Sequence, residues 1–89
     1  MHKFEIEVKL HKILKKLSKK NKKTYEIIFK KIKEIVSSPD INHYKNLRSP
    51  MNKFKRIHID KSFVLIFKYN DAKDLIRFYD FDHHDSIYK

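Results

Sequence analysis

The segment Phe54–Asp82, "FKRIHIDKSFVLIFKYNDAKDLIRFYDFD", decides the fold because it predicts three consecutive strands. Phe54–Asp60 alternates between apolar and polar side chains, Phe63–Tyr69 is a continuous apolar run, and Asp74–Asp82 is the third strand. The links between these strands are short enough only for hairpins. We therefore expect an antiparallel meander with Phe63–Tyr69 at its centre.

The meander contains no glycine, and neither does the rest of the chain. Left-handed turn positions are then expected at Asn70, Asp71 or their neighbours, which tolerate positive φ better than most residues.

Two helices are predicted before the meander. Leu10, Ile13, Leu14 and Leu17 form one apolar stripe of a helix, and a second helix carries apolar residues from Tyr25 to Val36. We expect Ser18–Lys23 to form the turn between them and Ser37–Pro39 to end the second helix. A short strand, Lys3–Lys9, precedes both helices, and a loop follows from Asp40 to Pro50.

The predicted fold class is therefore α+β: an N-terminal strand, an antiparallel helix hairpin and a three-stranded antiparallel meander. A chain of 89 residues should form a single domain over 1–89, since it has apolar material for only one core. The helix hairpin should cover one face of the sheet and leave the other face open.

The formal net charge is +11, and residues 1–39 alone carry 12 Lys against 4 Glu. Such an excess indicates attraction for a polyanion or an acidic protein, although solvated lysine faces would give the same composition. The absence of cysteine excludes disulfides and thiolate metal sites and favours the cytoplasm. Lysines interrupt every apolar stretch, so we expect a soluble protein without membrane contact.

Strand parity indicates which side chains reach the open face. Ile57 and Ile59 should face the helices, which leaves Arg56, His58 and Asp60 on the opposite side. Lys68 and Arg77 are candidates to join them from the neighbouring strands.

At this point the sequence resembles the RelE/ParE superfamily of toxins from type II toxin–antitoxin modules, in particular its YafQ-like, RNA-cleaving branch. The similarity spans nearly the whole chain. It depends on the lysine-rich helix hairpin, on "HYKNLRSPMNKFKRIHIDKSFVLIFKY" and on the ending "HHDSIY". It implies a metal-independent endoribonuclease without cofactor, which cuts mRNA at the ribosome and is neutralised by a cognate antitoxin.

The resemblance also carries site residues onto this chain. The near-terminal histidine of the family, four residues before an aromatic, matches His84 and Tyr88, and the histidine of the first strand after the helices matches His58. Lys45 stands where the family has a loop histidine, with His43 two residues away. Ser62 and Val64 replace the superfamily's glycine and arginine in the hairpin region, which favours a histidine-based mechanism.

Metal-free RNA cleavage needs proton transfer at the 2′-hydroxyl and at the leaving 5′-oxygen, together with cations for the transition state. The hypothesis gives proton transfer to His84 and His58, phosphate stabilisation to Arg56, and nucleotide stacking to Tyr88. The candidates for RNA binding are basic residues of the loop and the strands: His43, Lys45, Arg48, Lys53, Lys55 and Arg77.

Other interpretations stay open. Asp80, Asp82, His83, His84 and Asp85 contain metal-ligating types, but no histidine pair at i, i+4 supports a metal site. His58 is equally compatible with a plain surface residue, Tyr88 with packing of the chain end, and His83 with a structural or partner-facing role. The alternative functions are a non-catalytic ParE-like inhibitor of DNA gyrase, or a module that only binds RNA or antitoxin. The expected partners are an acidic, partly disordered antitoxin and mRNA, and the free toxin should be a monomer.

Overall fold

A computed structural model describes residues 1–47, 53–83 and 86. The elements follow the predicted order: β1 (Lys3–Ile6), α1 (Val8–Lys20), α2 (Lys22–Val36), a short 3-10 helix (Ile41–His43), β2 (Lys55–Ile59), β3 (Phe63–Asn70) and β4 (Leu75–His83). They form a four-stranded sheet in the order β1-β4-β3-β2. The meander is antiparallel as predicted, and β1 lies parallel to β4 at the edge.

The helices and one face of the sheet share the main core. Leu10 and Leu14 of α1 and Ile28, Ile32 and Ile35 of α2 are buried there. The sheet contributes Ile59, Leu65, Phe67, Ile76, Phe78 and Phe81 to the same cluster. One face of the sheet is therefore covered by the helix hairpin, as the sequence predicted.

The predicted turn between the helices is wrong in extent. α1 continues to Lys20 and α2 begins at Lys22, so Asn21 alone joins them. Ser18 is helical, and its hydroxyl donates to the carbonyl of Lys15 at 2.7 Å. The side chain of Asn21 caps α2 by accepting from the amide of Thr24 at 3.2 Å.

The first strand is shorter than predicted. β1 ends at Ile6, and the amide of Glu7 donates to the carbonyl of Phe78 at 2.9 Å as the chain leaves the sheet. Val8 continues the alternating pattern in sequence but begins α1, where it is 67% exposed.

Among the described residues, positive φ values fall on two aspartates, Asp60 (58°) and Asp74 (50°). The predicted Asn70 instead accepts from the amide of Lys73 through its side chain at 3.2 Å. Aspartate tolerates this region because its short polar side chain can bond locally.

His2 ties the N-terminal segment to the β3–β4 turn. Its Nδ1 lies 2.5 Å from Oδ1 of Asp74 and its Nε2 lies 2.6 Å from the carbonyl oxygen of Ser38. The hydroxyl of Tyr69 donates to the same Asp74 oxygen at 2.9 Å. Since both ring nitrogens face acceptors, the protonated ring satisfies both. The bond to Asp74 raises the pKa of His2, and the bond to His2 lowers the pKa of Asp74.

Candidate nucleic-acid interface

Arg56 and His58 lie side by side on the face of the sheet opposite the helices. Ile57 and Ile59 contact the main core, so alternation along β2 directs Arg56 and His58 the other way, as predicted. Nη1 of Arg56 lies 3.4 Å from Nε2 of His58. The pair combines a permanent cation with a group that can transfer a proton near neutral pH.

The centre of this open face is apolar. Leu47, Val64 and Ile66 are buried there, and Phe54 and Tyr79 pack against them with their rings edge to face at 5.0 Å. In the sheet register Arg56 pairs with Ile66 and His58 pairs with Val64. Arg56 and His58 therefore lie next to this apolar cluster, on the neighbouring strand.

Two carboxylates lie on β4, across β3 from Arg56 and His58. Ile66 pairs with Asp80 and Val64 with Asp82. Asp80 accepts from Nζ of Lys9 at 3.0 Å. Asp82 accepts from the backbone amide of His83 at 2.7 Å. Both aspartates are therefore engaged in hydrogen bonds within the protein.

Lys55 is not on the open face. It is 8% exposed, and its ammonium donates to the carbonyl of Tyr44 at 3.2 Å and to Oδ1 of Asn46 at 2.9 Å. Its parity in β2 is that of Ile57 and Ile59, so its stem lies on the side of the core. Lys55 thus holds the loop, and its ammonium is not available to RNA on the open face, where the sequence predicted an RNA contact.

The loop held by Lys55 runs along the start of β2. The carbonyl of Lys45 accepts from the amide of Arg56 at 2.9 Å, and the amide of Leu47 donates to the carbonyl of Phe54 at 2.9 Å. These bonds place Lys45 beside Arg56 with its side chain exposed. Lys53 is also exposed.

His43 is the last residue of the 3-10 helix and is exposed. Its Nδ1 contacts the carbonyl of Asp40, and its ring lies 4.0 Å from that of Tyr44. The neighbouring Tyr44 has its pKa raised, chiefly by burial.

Arg77 is bound within the protein. Its Nη2 and Nε donate to Oε2 of Glu5 at 2.8 and 3.2 Å, and its Nη1 lies 3.4 Å from Oε1 of Glu7. The bond to Glu5 is the main cause of its raised pKa, followed by one to Tyr79. Glu5 and Arg77 come together because β1 pairs in parallel with β4 and the register places Glu5 opposite Arg77.

Three of the predicted site residues, Arg48, His84 and Tyr88, lie outside the described residues. His83 ends β4, with its ring edge to face against Phe63 at 5.5 Å.

Over residues 1–47, 53–83 and 86, no group of three or more His, Asp or Glu is arranged to hold a metal ion. Over the same residues, no helix has the length and apolarity needed to cross a membrane.

The fold has close counterparts among solved structures. YafQ from Escherichia coli strain BL21(DE3) superposes with a TM-score of 0.66 and 17% identity over 100% of both chains. The isolated RelE toxin of E. coli superposes with a TM-score of 0.66 and 19% identity, covering 93% of this chain and 84% of that one. At such identities the likeness shows a shared fold.

A relative in sequence shows the family. A protein of Methanocaldococcus jannaschii named "Putative toxin RelE4" is 55% identical over 89 residues, which is 100% of this chain and 93% of that protein. No family model matches the chain. The chain therefore belongs to the RelE/YafQ-like superfamily of type II toxins, since it has this relative in sequence and shares the fold of YafQ and RelE.

Proposed function

We propose that this toxin is a metal-independent endoribonuclease that cleaves mRNA at the ribosome in the cytoplasm. The observation that carries the proposal is the Arg56–His58 pair on the open face, where a guanidinium and an imidazole lie 3.4 Å apart. RNA cleavage needs both a cation for the phosphate and a proton-transfer group, and this pair supplies both.

In the proposed reaction the 2′-oxygen of one nucleotide attacks the adjacent phosphorus and the bond to the 5′-oxygen breaks. His58 and His84 share the two proton transfers: one removes the proton from the 2′-hydroxyl and the other protonates the departing 5′-oxygen. Arg56 stabilises the negative charge that develops on the phosphoryl oxygens. Tyr88 stacks on a nucleotide.

The RNA backbone is held by two exposed lysines of the segment before β2, Lys45 and Lys53, together with Arg48 and His43. Arg77 is the remaining candidate for RNA binding, but its ion pairs with Glu5 and Glu7 offset its charge, so its contribution to binding the backbone is small. The proposed inhibitor is a cognate antitoxin with an acidic, partly disordered segment, because such a segment complements a net charge of +11.

The test is induction of the toxin in cells, followed by mapping of mRNA 5′ ends, for the wild type and the variants His84→Ala and His58→Ala. His11→Ala is the matched control, since His11 is an exposed histidine on α1. We expect new ends within translated codons for the wild type and the control, and their loss in both site variants. Growth arrest with intact messages, equal in all variants, would refute the proposal and favour a gyrase inhibitor.

A further inference from the structure

A groove on the open face, at the end of the sheet where β3 turns into β4, has no role in the proposed chemistry. Its volume is about 230 Å³. It is lined by Lys68, Asn70, Lys73, Leu75, Arg77 and Tyr79. The groove combines an aromatic ring, an amide and three cations.

The cations of the groove are not equivalent. Arg77 is neutralised by Glu5 and Glu7. The ammonium groups of Lys68 and Lys73 make no hydrogen bond or ion pair within the described ranges 1–47, 53–83 and 86. Attraction for an anion therefore comes from these two lysines.

Tyr79 lies between the groove and the apolar cluster of the open face. Its ring is braced edge to face by Phe54 at 5.0 Å. β4 has a register irregularity at this point, where Ile66 pairs with Asp80 but Phe67 pairs with Phe78. Tyr79 is thus the extra residue of a bulge, a feature that re-aims a side chain. A fixed ring beside two lysines suits a nucleobase and its phosphate.

The groove lies along the same face as Arg56 and His58 but at a distance from them. His58 pairs with Val64, and Lys68 is four residues further along β3. At the rise of a β-strand this separation is about 13 Å. A nucleotide bound in the groove would therefore be a different one from the nucleotide that reacts.

We propose that this groove is a second nucleotide subsite for single-stranded RNA, with a base stacked on Tyr79 and its phosphate held by Lys68 and Lys73. The proposal rests on RNA being the ligand of the open face, as the proposed function has it. RNA fits better than an acidic peptide because the cations lie beside the half-buried ring of Tyr79, on the face that carries Arg56 and His58.

The experiment measures the affinity of the purified toxin for a fluorescent, single-stranded RNA oligonucleotide over a range of salt concentrations. The double variant Lys68→Met/Lys73→Met should lower the slope of log affinity against log salt by about 0.7, the contribution of the one phosphate contact that both lysines hold. The matched control is Lys16→Met/Lys19→Met on the exposed side of α1, which loses the same charge. The control should keep the wild-type slope.

The stacking contact is tested separately. Tyr79→Leu should weaken binding about 5- to 150-fold with an unchanged salt slope, and Tyr79→Phe should retain affinity because it keeps the ring. Thermal melts of each variant establish that the fold is intact.

The outcomes separate this inference from the proposed function. Groove variants that bind like the wild type and the α1 control would overturn the subsite and leave the groove to a protein partner, whatever the cleavage activity. A wild type that does not cleave RNA, yet binds it in the groove-dependent way described, would overturn the endoribonuclease and retain the subsite.

Discussion

Replacing Lys55 with methionine should destabilise the toxin and leave its affinity for RNA intact. The substitution keeps most of the apolar stem but removes the ammonium that bonds to the carbonyl of Tyr44 and to Asn46. Hydrogen bonds from a charged donor contribute about 1.5–3 kcal/mol each. Asn46 is exposed and can turn to water, so we expect a total loss of about 2 kcal/mol. In a domain of this size that lowers Tm by about 8–16 °C.

The assay pairs thermal unfolding with RNA binding, and Lys53→Met is the matched control. Lys53 is two residues away and exposed, so its loss should leave Tm unchanged and lower the salt slope for single-stranded RNA by about 0.7. Both variants are compared well below their melting temperatures. An unchanged Tm for Lys55→Met, together with a fall in its RNA affinity, would refute the assignment of Lys55 to the loop.

Three further predictions concern pH, catalysis and the core. Because the pKa of His2 is raised above 6.5, the contribution of His2 to stability should be complete below about pH 6.5 and be lost as pH rises through its folded pKa. The pKa of Asp74 is lowered from 3.8, so the contribution of Asp74 to stability should be lost as pH falls through its folded pKa. The free energy of unfolding, measured in urea across pH, should be highest between these two pKa values. His2→Gln should remove its decline on the alkaline side. His58→Ala should slow RNA cleavage about 10²- to 10⁴-fold in a gel assay and leave Tm nearly unchanged, because His58 is exposed. Phe67→Ala should lower the free energy of unfolding in urea by about 3–5 kcal/mol, since Phe67 is fully buried against Phe78 and Tyr44. Phe4→Ala is the control and should lower it far less, because Phe4 is 48% exposed.

The meander and the helix hairpin could be predicted because their signals are local. The apolar run Phe63–Tyr69 matches β3 to within one residue, and the stripe that includes Leu10 and Leu14 is the buried side of α1. The extent of the turn between the helices could not be read from composition. Lysines suit the last turn of a helix as well as a loop, since they interact favourably with its C-terminal dipole.

The candidate site was predictable only where strand parity decides orientation. Parity places Arg56 and His58 on the open face, and the same rule, applied two residues earlier, would have placed Lys55 with Ile57 on the core side. The pairing of Arg77 with Glu5 could not be predicted, because it depends on the register of two strands far apart in sequence. Tyr79 lies on the face of Arg77, as alternation along β4 would give, but its place in a bulge depends on the register of β3 against β4, which no local pattern indicates.

The parallel pairing of β1 with β4 bears on the synthesis of the toxin. Partners such as Glu5 and Arg77 are separated by 72 residues, so the first strand emerges from the ribosome long before its neighbour exists. Until β4 is made, β1 has no strand to join, and contacts of such long range form slowly. The nascent chain therefore lacks a complete sheet for most of its translation, and the toxin fold is completed only after β4 has emerged.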